Sequence, residues 1–201
     1  MKISVLDRIL LLATGLLAAW QVAVGIDGAD TLPLIAYTIS FGVLLVACLL
    51  LIILGFDVLE SPIVVIVSTI IPLSMSLGLI WEHMPAWRIP YLVIAICGFL
   101  AILVTRLLPM PGKLSTFVLA VVHGVAGMVV FLLPSILAAQ GISRPGFALV
   151  GLGGALIGVC GLLLSFLKAG RPIISRETIL RILPSLLLLM TIAFVTGFAL
   201  A

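Results

Sequence analysis

The chain has 201 residues, of which 64% are hydrophobic and only 8% are charged. Because a soluble domain carries about 25% charged residues, this composition excludes an ordinary soluble fold and makes lipid the solvent. The net charge of +3 comes from short segments between apolar runs, so it does not indicate nucleic-acid binding. No run of consecutive basic residues is present, and the sequence therefore does not predict an anionic-lipid switch.

Seven apolar segments reach the length of about 20 residues that a helix needs to cross the hydrocarbon core. Glycine, proline and polar residues separate them, as at 27–30 and 109–112. The first run continues past Trp20 to about Gly25, which is longer than the apolar part of a signal peptide and predicts a retained first helix. The predicted spans are 4–25, 31–55, 61–82, 89–108, 114–139, 146–169 and 175–199.

The basic residues lie almost entirely on one side of these spans. If Met1 is cytoplasmic, eight of the ten basic residues fall at inner ends or in inner loops, which is the bias that determines orientation during insertion. The eight are Lys2, Arg8, Arg106, Lys113, Lys168, Arg171, Arg176 and Arg181. The two that fall outside are Arg88 and Arg144. The sequence thus predicts an all-α integral membrane protein. We expect residues 1–201 to form a single bundle of seven transmembrane helices in the inner (plasma) membrane, with the N-terminus cytoplasmic and the C-terminus outside.

The tryptophan and tyrosine side chains support this orientation independently. All of them map to outer ends or outer loops, where rings with one apolar and one polar part settle. They are Trp20, Tyr37, Trp81, Trp87 and Tyr91. Aromatic belts ordinarily form at both interfaces, so the one-sided distribution indicates an outer face that contacts something besides lipid.

The densest polar and aromatic cluster falls between the third and fourth spans. It comprises Trp81, Glu82, His83, Trp87 and Arg88. Three interpretations stay open: a docking surface for a partner subunit, the mouth of a site for a lipophilic ligand, or an ordinary interfacial anchor.

His123 is the ionisable side chain that lies well inside a predicted span, roughly 13 Å from the inner end of the fifth segment at 1.5 Å per residue. Such groups are costly in lipid and are candidates for function. The functional interpretation is cofactor binding, as a hydrogen bond to a quinone, a proton-transfer step or an axial ligand to a pigment or haem metal. The structural one is a neutral imidazole bonded to Ser68, Thr69 or Ser185, which lie at similar depth. Haem held by two histidines is disfavoured because His83 lies at the outer end.

The sixth span carries a stripe of small residues. Gly151, Gly154, Gly158, Gly161 and Ser165 recur at alternating spacings of three and four, which places them on one face of a helix. Small residues let helix backbones approach closely in membranes, so the stripe predicts helix packing with a left-handed crossing near +20°. The alternative is a groove for a ligand or a lipid tail.

No motif in the sequence names a reaction, a cofactor or a metal site. No Asp, Glu or Lys lies in the middle of a span, where ion-coupled transporters usually carry them. The leading hypothesis is a non-catalytic membrane subunit of a larger complex of respiratory or photosynthetic type, with other membrane subunits as partners. It would help to form a quinone, pigment or lipid pocket. The alternatives are a small carrier or channel for an uncharged or lipophilic solute, and a membrane redox protein with a cofactor at His123.

Overall fold

A computed structural model describes residues 3–108, 114–168 and 173–201, and all of its regular structure is helical. Seven helices in this part of the chain are long and apolar enough to cross a membrane, which confirms a helical bundle typical of a multi-pass membrane protein. They are α1 (Val5–Val24), α2 (Thr31–Leu54), α3 (Pro62–His83), α4 (Arg88–Leu107), α5 (Leu114–Ala139), α6 (Ala148–Lys168) and α7 (Arg176–Ala199). Short 3₁₀ turns at Phe56–Glu60, Pro85–Trp87 and Pro145–Phe147 precede α3, α4 and α6.

The helix ends follow from local sequence. At the start of α1, the Ser4 side chain accepts a hydrogen bond from the Asp7 amide at 3.1 Å, and the Asp7 carboxylate accepts one from the Ser4 amide at 2.9 Å. This reciprocal pair satisfies two amides that the first turn leaves free. The helices α1 and α2 end at Gly25 and Gly55, whose φ angles of 72° and 76° favour glycine.

Six helices form a closed ring, in the order α1, α2, α3, α5, α6, α7 and back to α1. Helix α4 lies outside this ring and packs against α3 and α5. Successive helices run in opposite directions, so the bundle has two distinct ends. We call the end where α1 and α7 begin the basic end, and the end where α3 and α7 finish the aromatic end.

Aromatic rings fill the centre of the bundle toward the aromatic end. Tyr37 of α2 packs on Phe198 of α7 with ring centroids 4.8 Å apart, and Phe41 meets Phe194 edge to face at 6.4 Å. Phe147, from the turn before α6, lies 6.3 Å from Phe198. All but Phe198 are at most 2% exposed. Since α1 lies between α2 and α7 in the ring, these contacts join helices across the bundle.

At Gly151 and Gly154, helix α6 lies against the backbone of α5 with no room for a side chain. A Cβ added at Gly154 would lie 2.6 Å from the backbone N of Phe131 and 2.6 Å from the backbone C of Val130. One added at Gly151 would lie 2.7 Å from the Phe131 carbonyl oxygen and would overlap the Ser135 hydroxyl. Real Cβ atoms essentially never approach closer than 3.0 Å, so glycine is required at both positions.

The predicted stripe is not packed along its whole length. A Cβ at Gly161 would lie 2.9 Å from the imidazole of His123, but one at Gly158 would meet no described atom within 4 Å. Close contact therefore occurs at some of the predicted stripe positions and not at Gly158. The register set by the neighbouring contacts brings Gly158 across from Gly127, which also meets no described atom within that distance. Neither glycine has a side chain to fill the space between the helices at this level. A larger residue at one of the two positions would fill it. The side chain of Ser165 lies outside the described residues.

A second close contact, which the sequence did not predict, joins α6 to α7. A Cβ added at Gly197 of α7 would lie 2.6 Å from the backbone N of Val150. On α6, a Cβ at Gly153 would lie 2.5 Å from the ring of Phe194. Helix α6 therefore uses glycines on two faces, one toward α5 and one toward α7.

Alanine substitutions at Gly154 and Gly158 should have opposite effects, although both glycines lie on the same stripe. We expect Gly154→Ala to lower the free energy of unfolding by about 1–3 kcal/mol, because its methyl group would strike the backbone of α5. Gly158→Ala should leave stability unchanged or raise it by up to about 1 kcal/mol, because alanine favours helix and the space is open. Thermal unfolding of both variants in the same detergent measures the difference. Equal losses would contradict the α5–α6 packing described above.

Candidate functional site

His123 places a polar ring in the contact between α5 and α6. Its imidazole is half-buried and lies against the backbone at Gly161, with Cδ2 and Nε2 at 2.9 and 3.0 Å from the position of an added Cβ. Within the described residues its Nδ1 atom is buried and has no hydrogen-bond partner. A buried polar atom without a partner costs about 1–3 kcal/mol, and this nitrogen is one of four such side-chain atoms in the described residues, with His83 Nε2, Arg106 Nε and the Ser143 hydroxyl.

The hydroxyl groups that the sequence suggested as partners for His123 bond elsewhere. Ser68 and Thr69 each donate to the Val65 carbonyl of their own helix, at 3.0 and 2.8 Å. Ser185 is exposed on α7. The structural interpretation, an imidazole held by one of these three hydroxyls, is therefore not the arrangement in the structure. Serine and threonine bond back to their own helix because this satisfies the hydroxyl without a partner helix.

Open space lies close to His123. Gly124 and Gly127 follow it on α5, and the register of the neighbouring contacts brings Gly158 of α6 across from Gly127. Apart from the adjoining residues of its own helix, no described atom lies within 4 Å of a Cβ added at Gly127 or Gly158; Gly124 is exposed on the surface of the bundle. His123 therefore lies one helical turn from a place where neither helix has a side chain. A lipophilic molecule with one hydrogen-bonding group could occupy such a place.

The predicted cluster at the aromatic end divides into two parts. The inner part is Glu82 and His83, which contact the bundle core. The Tyr37 hydroxyl donates to the Glu82 carboxylate at 3.0 Å, and the His83 ring packs on Phe147 with centroids 5.2 Å apart. His83 Nε2 lies 3.9 Å from the same carboxylate. These contacts tie the end of α3 to α2 and to the turn before α6.

The outer part of this cluster is Trp81, Arg88 and Trp87. The Arg88 Nε donates to the Trp81 carbonyl at 2.6 Å, and its guanidinium carbon lies 5.7 Å from the centroid of the Trp81 ring. Trp87 is 51% exposed. The five residues therefore do not form one open face. Their geometry favours a corner that anchors α3 and α4, with Trp87 as the part that a partner or lipid would touch.

A cleft at the basic end was not predicted. Its volume is about 400 Å³, and it lies between the 3₁₀ turn before α3 and helices α4, α6 and α7. Its polar lining is Glu60, Arg106 and Arg176, and leucines form much of the rest. The lining residues come from four separated parts of the chain, so no linear motif could reveal them. The sequence offered only an indirect indication of the cleft, because Arg106 and Arg176 both belong to the basic residues at one end of the spans.

The described part of the chain contains no group of three or more His, Cys, Asp or Glu residues that could hold a metal ion. No protein-family model, curated protein or solved structure matches the chain. Its function is therefore argued from its own residues.

Removing the Tyr37 hydroxyl should destabilise the aromatic end more than removing the Tyr91 hydroxyl. Tyr37 donates to a carboxylate across helices, whereas Tyr91 donates to the Ser76 hydroxyl at 2.8 Å. Hydrogen bonds to charged groups are stronger. We expect Tyr37→Phe to cost about 1–2 kcal/mol and Tyr91→Phe about half of that. Unfolding of the two variants in one detergent provides the measurement, and a larger loss for Tyr91→Phe would contradict this account.

Proposed function

We propose that the chain is a non-catalytic integral membrane subunit of a larger membrane complex of respiratory or photosynthetic type. In this proposal His123 helps to form a pocket for a quinone, a pigment or a lipid. The observation that carries it is the buried Nδ1 of His123, which has no hydrogen-bond partner in the described residues and belongs to a ring one helical turn from the open positions at Gly127 and Gly158.

The chemistry of an imidazole in lipid supports such a pocket. A neutral imidazole offers one donor and one acceptor, and a quinone carbonyl or a lipid ester can accept its hydrogen. A pigment metal can instead take the unprotonated nitrogen as an axial ligand. Each of these would satisfy an atom that has no partner within residues 3–108, 114–168 and 173–201. The polar group would fix the orientation of a ligand whose remaining surface is apolar.

The distribution of aromatic residues supports a partner at one end. Trp20 and Trp87 are 58% and 51% exposed, and both belong to the aromatic end. Tryptophan is enriched at protein interfaces and in membrane-interface belts. Because a belt ordinarily forms at both ends, a one-sided set favours contact with another protein. We place the basic end in the cytoplasm and the aromatic end outside, on the distribution of the basic residues.

A carrier or channel is the second candidate. Proline residues inside α3, α5 and α7, at Pro72, Pro134 and Pro184, could allow the rocking that transport requires. The rings of Tyr37 and Phe41 fill the bundle centre at one end, which makes an open path a weaker proposal. A third candidate is a redox protein with a cofactor at His123. It rests on the same observation as the leading proposal, and such a protein would absorb visible light.

Native mass spectrometry of the protein extracted from its own membrane tests the leading proposal. We expect stoichiometric mass from other membrane subunits together with a small lipophilic molecule. His123→Phe should lose the small molecule and keep the partner, because the ring still packs on Gly161 but offers no hydrogen bond. Val125→Phe is the control, because it adds a ring to the exposed face of the same helix and leaves His123 in place; it should keep both.

A bare monomer or homo-oligomer would contradict the complex-subunit proposal and favour transport. Saturable uptake of an uncharged solute by proteoliposomes would then be the next observation to seek. A visible absorption band that disappears in His123→Phe would favour the redox protein.

A further inference from the structure

The cleft at the basic end combines apolar walls with the arginine Arg106. Leu59, Leu164, Leu167 and Leu180 contribute the apolar lining. The guanidinium of Arg106 lies at the end of α4, and in the described part of the chain its Nε atom is buried without a hydrogen-bond partner. Burying a charged donor without an acceptor is costly, so a ligand that supplies acceptor oxygens would be favoured there.

None of the acidic residues described near this end forms an ion pair with Arg106. Glu60 pairs with Arg176 at 2.5 Å, and Glu177 pairs with Arg181 at 3.3 Å. The Asp7 carboxylate accepts hydrogen bonds from Ser4, and Asp57 is exposed in its 3₁₀ turn. The segments that follow α4 and α6 in sequence, 109–113 and 169–172, contain no Asp or Glu, and they add Lys113 and Arg171. The charge at this end is therefore in excess on the positive side.

We propose that this cleft binds the phosphate group of an anionic phospholipid from the surrounding leaflet. The planar guanidinium of Arg106 presents parallel N–H groups that match two phosphate oxygens. Arg176 also lines the cleft but is paired with Glu60, so the polar lining carries a net charge of +1 and Arg106 supplies it. The leucine side chains would contact the first part of the acyl chains. A free phosphate ion has no acyl chains and would leave these leucines uncovered.

The place and size of the cleft agree with this ligand. It lies at the ends of membrane-spanning helices, where head groups lie, and basic pockets between such helices on the cytoplasmic side bind anionic head groups. Its volume of about 400 Å³ falls in the range of small-molecule sites. The site is separate from His123 and does not depend on the function proposed above.

Lipid titration of the full-length protein in detergent, followed by native mass spectrometry, tests the proposal. The probes are dioleoylphosphatidylglycerol and dioleoylphosphatidylcholine, which share acyl chains and differ in net charge. We expect the anionic lipid to bind about tenfold more tightly, and Arg106→Gln to remove about tenfold of its affinity. Arg181→Gln is the matched control: it removes the same charge from the same end but outside the cleft lining, and should change the affinity less than about twofold.

Equal binding of the two lipids would overturn the proposal, and so would equal losses in Arg106→Gln and Arg181→Gln. Complete displacement of the lipid by inorganic phosphate would assign the site to the free ion and would also overturn it. If Arg106→Gln does not remain monodisperse, Leu164→Trp replaces it, because it fills the cleft without changing the charge. Unchanged binding of the anionic lipid to Leu164→Trp would count against the cleft.

Discussion

The contact of α6 with the backbones of its two neighbours is the constraint on which the rest of the bundle depends. In lipid, helices gain nothing by hiding apolar surface from water, so they associate through close packing and hydrogen bonds. Gly154 meets the α5 backbone, and Gly197 of α7 meets the α6 backbone at Val150. These contacts bring α7 far enough inward for Phe194 and Phe198 to reach Phe41 and Tyr37 across the ring.

The same α5–α6 contact also creates the candidate site. Close packing holds where glycine meets backbone and stops where Gly158 faces Gly127. His123 lies about one turn from that gap, with its ring against Gly161 and its Nδ1 atom without a described partner. A larger residue at either glycine would close the gap. Packing and the proposed ligand pocket are thus two properties of one helix pair.

The sequence predicted those features of the fold that depend on the local pattern of residues along the chain. Seven spans follow from hydrophobic runs of membrane length, and the need for glycine at Gly151 and Gly154 follows from their spacing. Gly158 shares that spacing, but its surroundings depend on which residue of α5 lies across from it. The spacing of residues on α6 does not determine that residue. The basic-end cleft was missed because Arg176 finds its partner at Glu60, 116 residues away. Likewise, the hydroxyls of Ser68 and Thr69, expected as partners of His123, bond to their own helix. Residue type alone does not determine which acceptor such a hydroxyl uses.

Cross-linking of α5 to α6 in native membranes tests the central claim most directly. Cys48, Cys97 and Cys160 are first replaced by alanine, and the Gly127→Cys/Gly158→Cys double variant is treated with a short bifunctional thiol reagent. Both positions have room for a side chain, and the register places them on facing sides of the two helices. We predict efficient cross-linking there and little in Val125→Cys/Gly158→Cys, because Val125 is 47% exposed on another face of α5. Failure of the first pair, or equal cross-linking of both pairs, would contradict the α5–α6 arrangement.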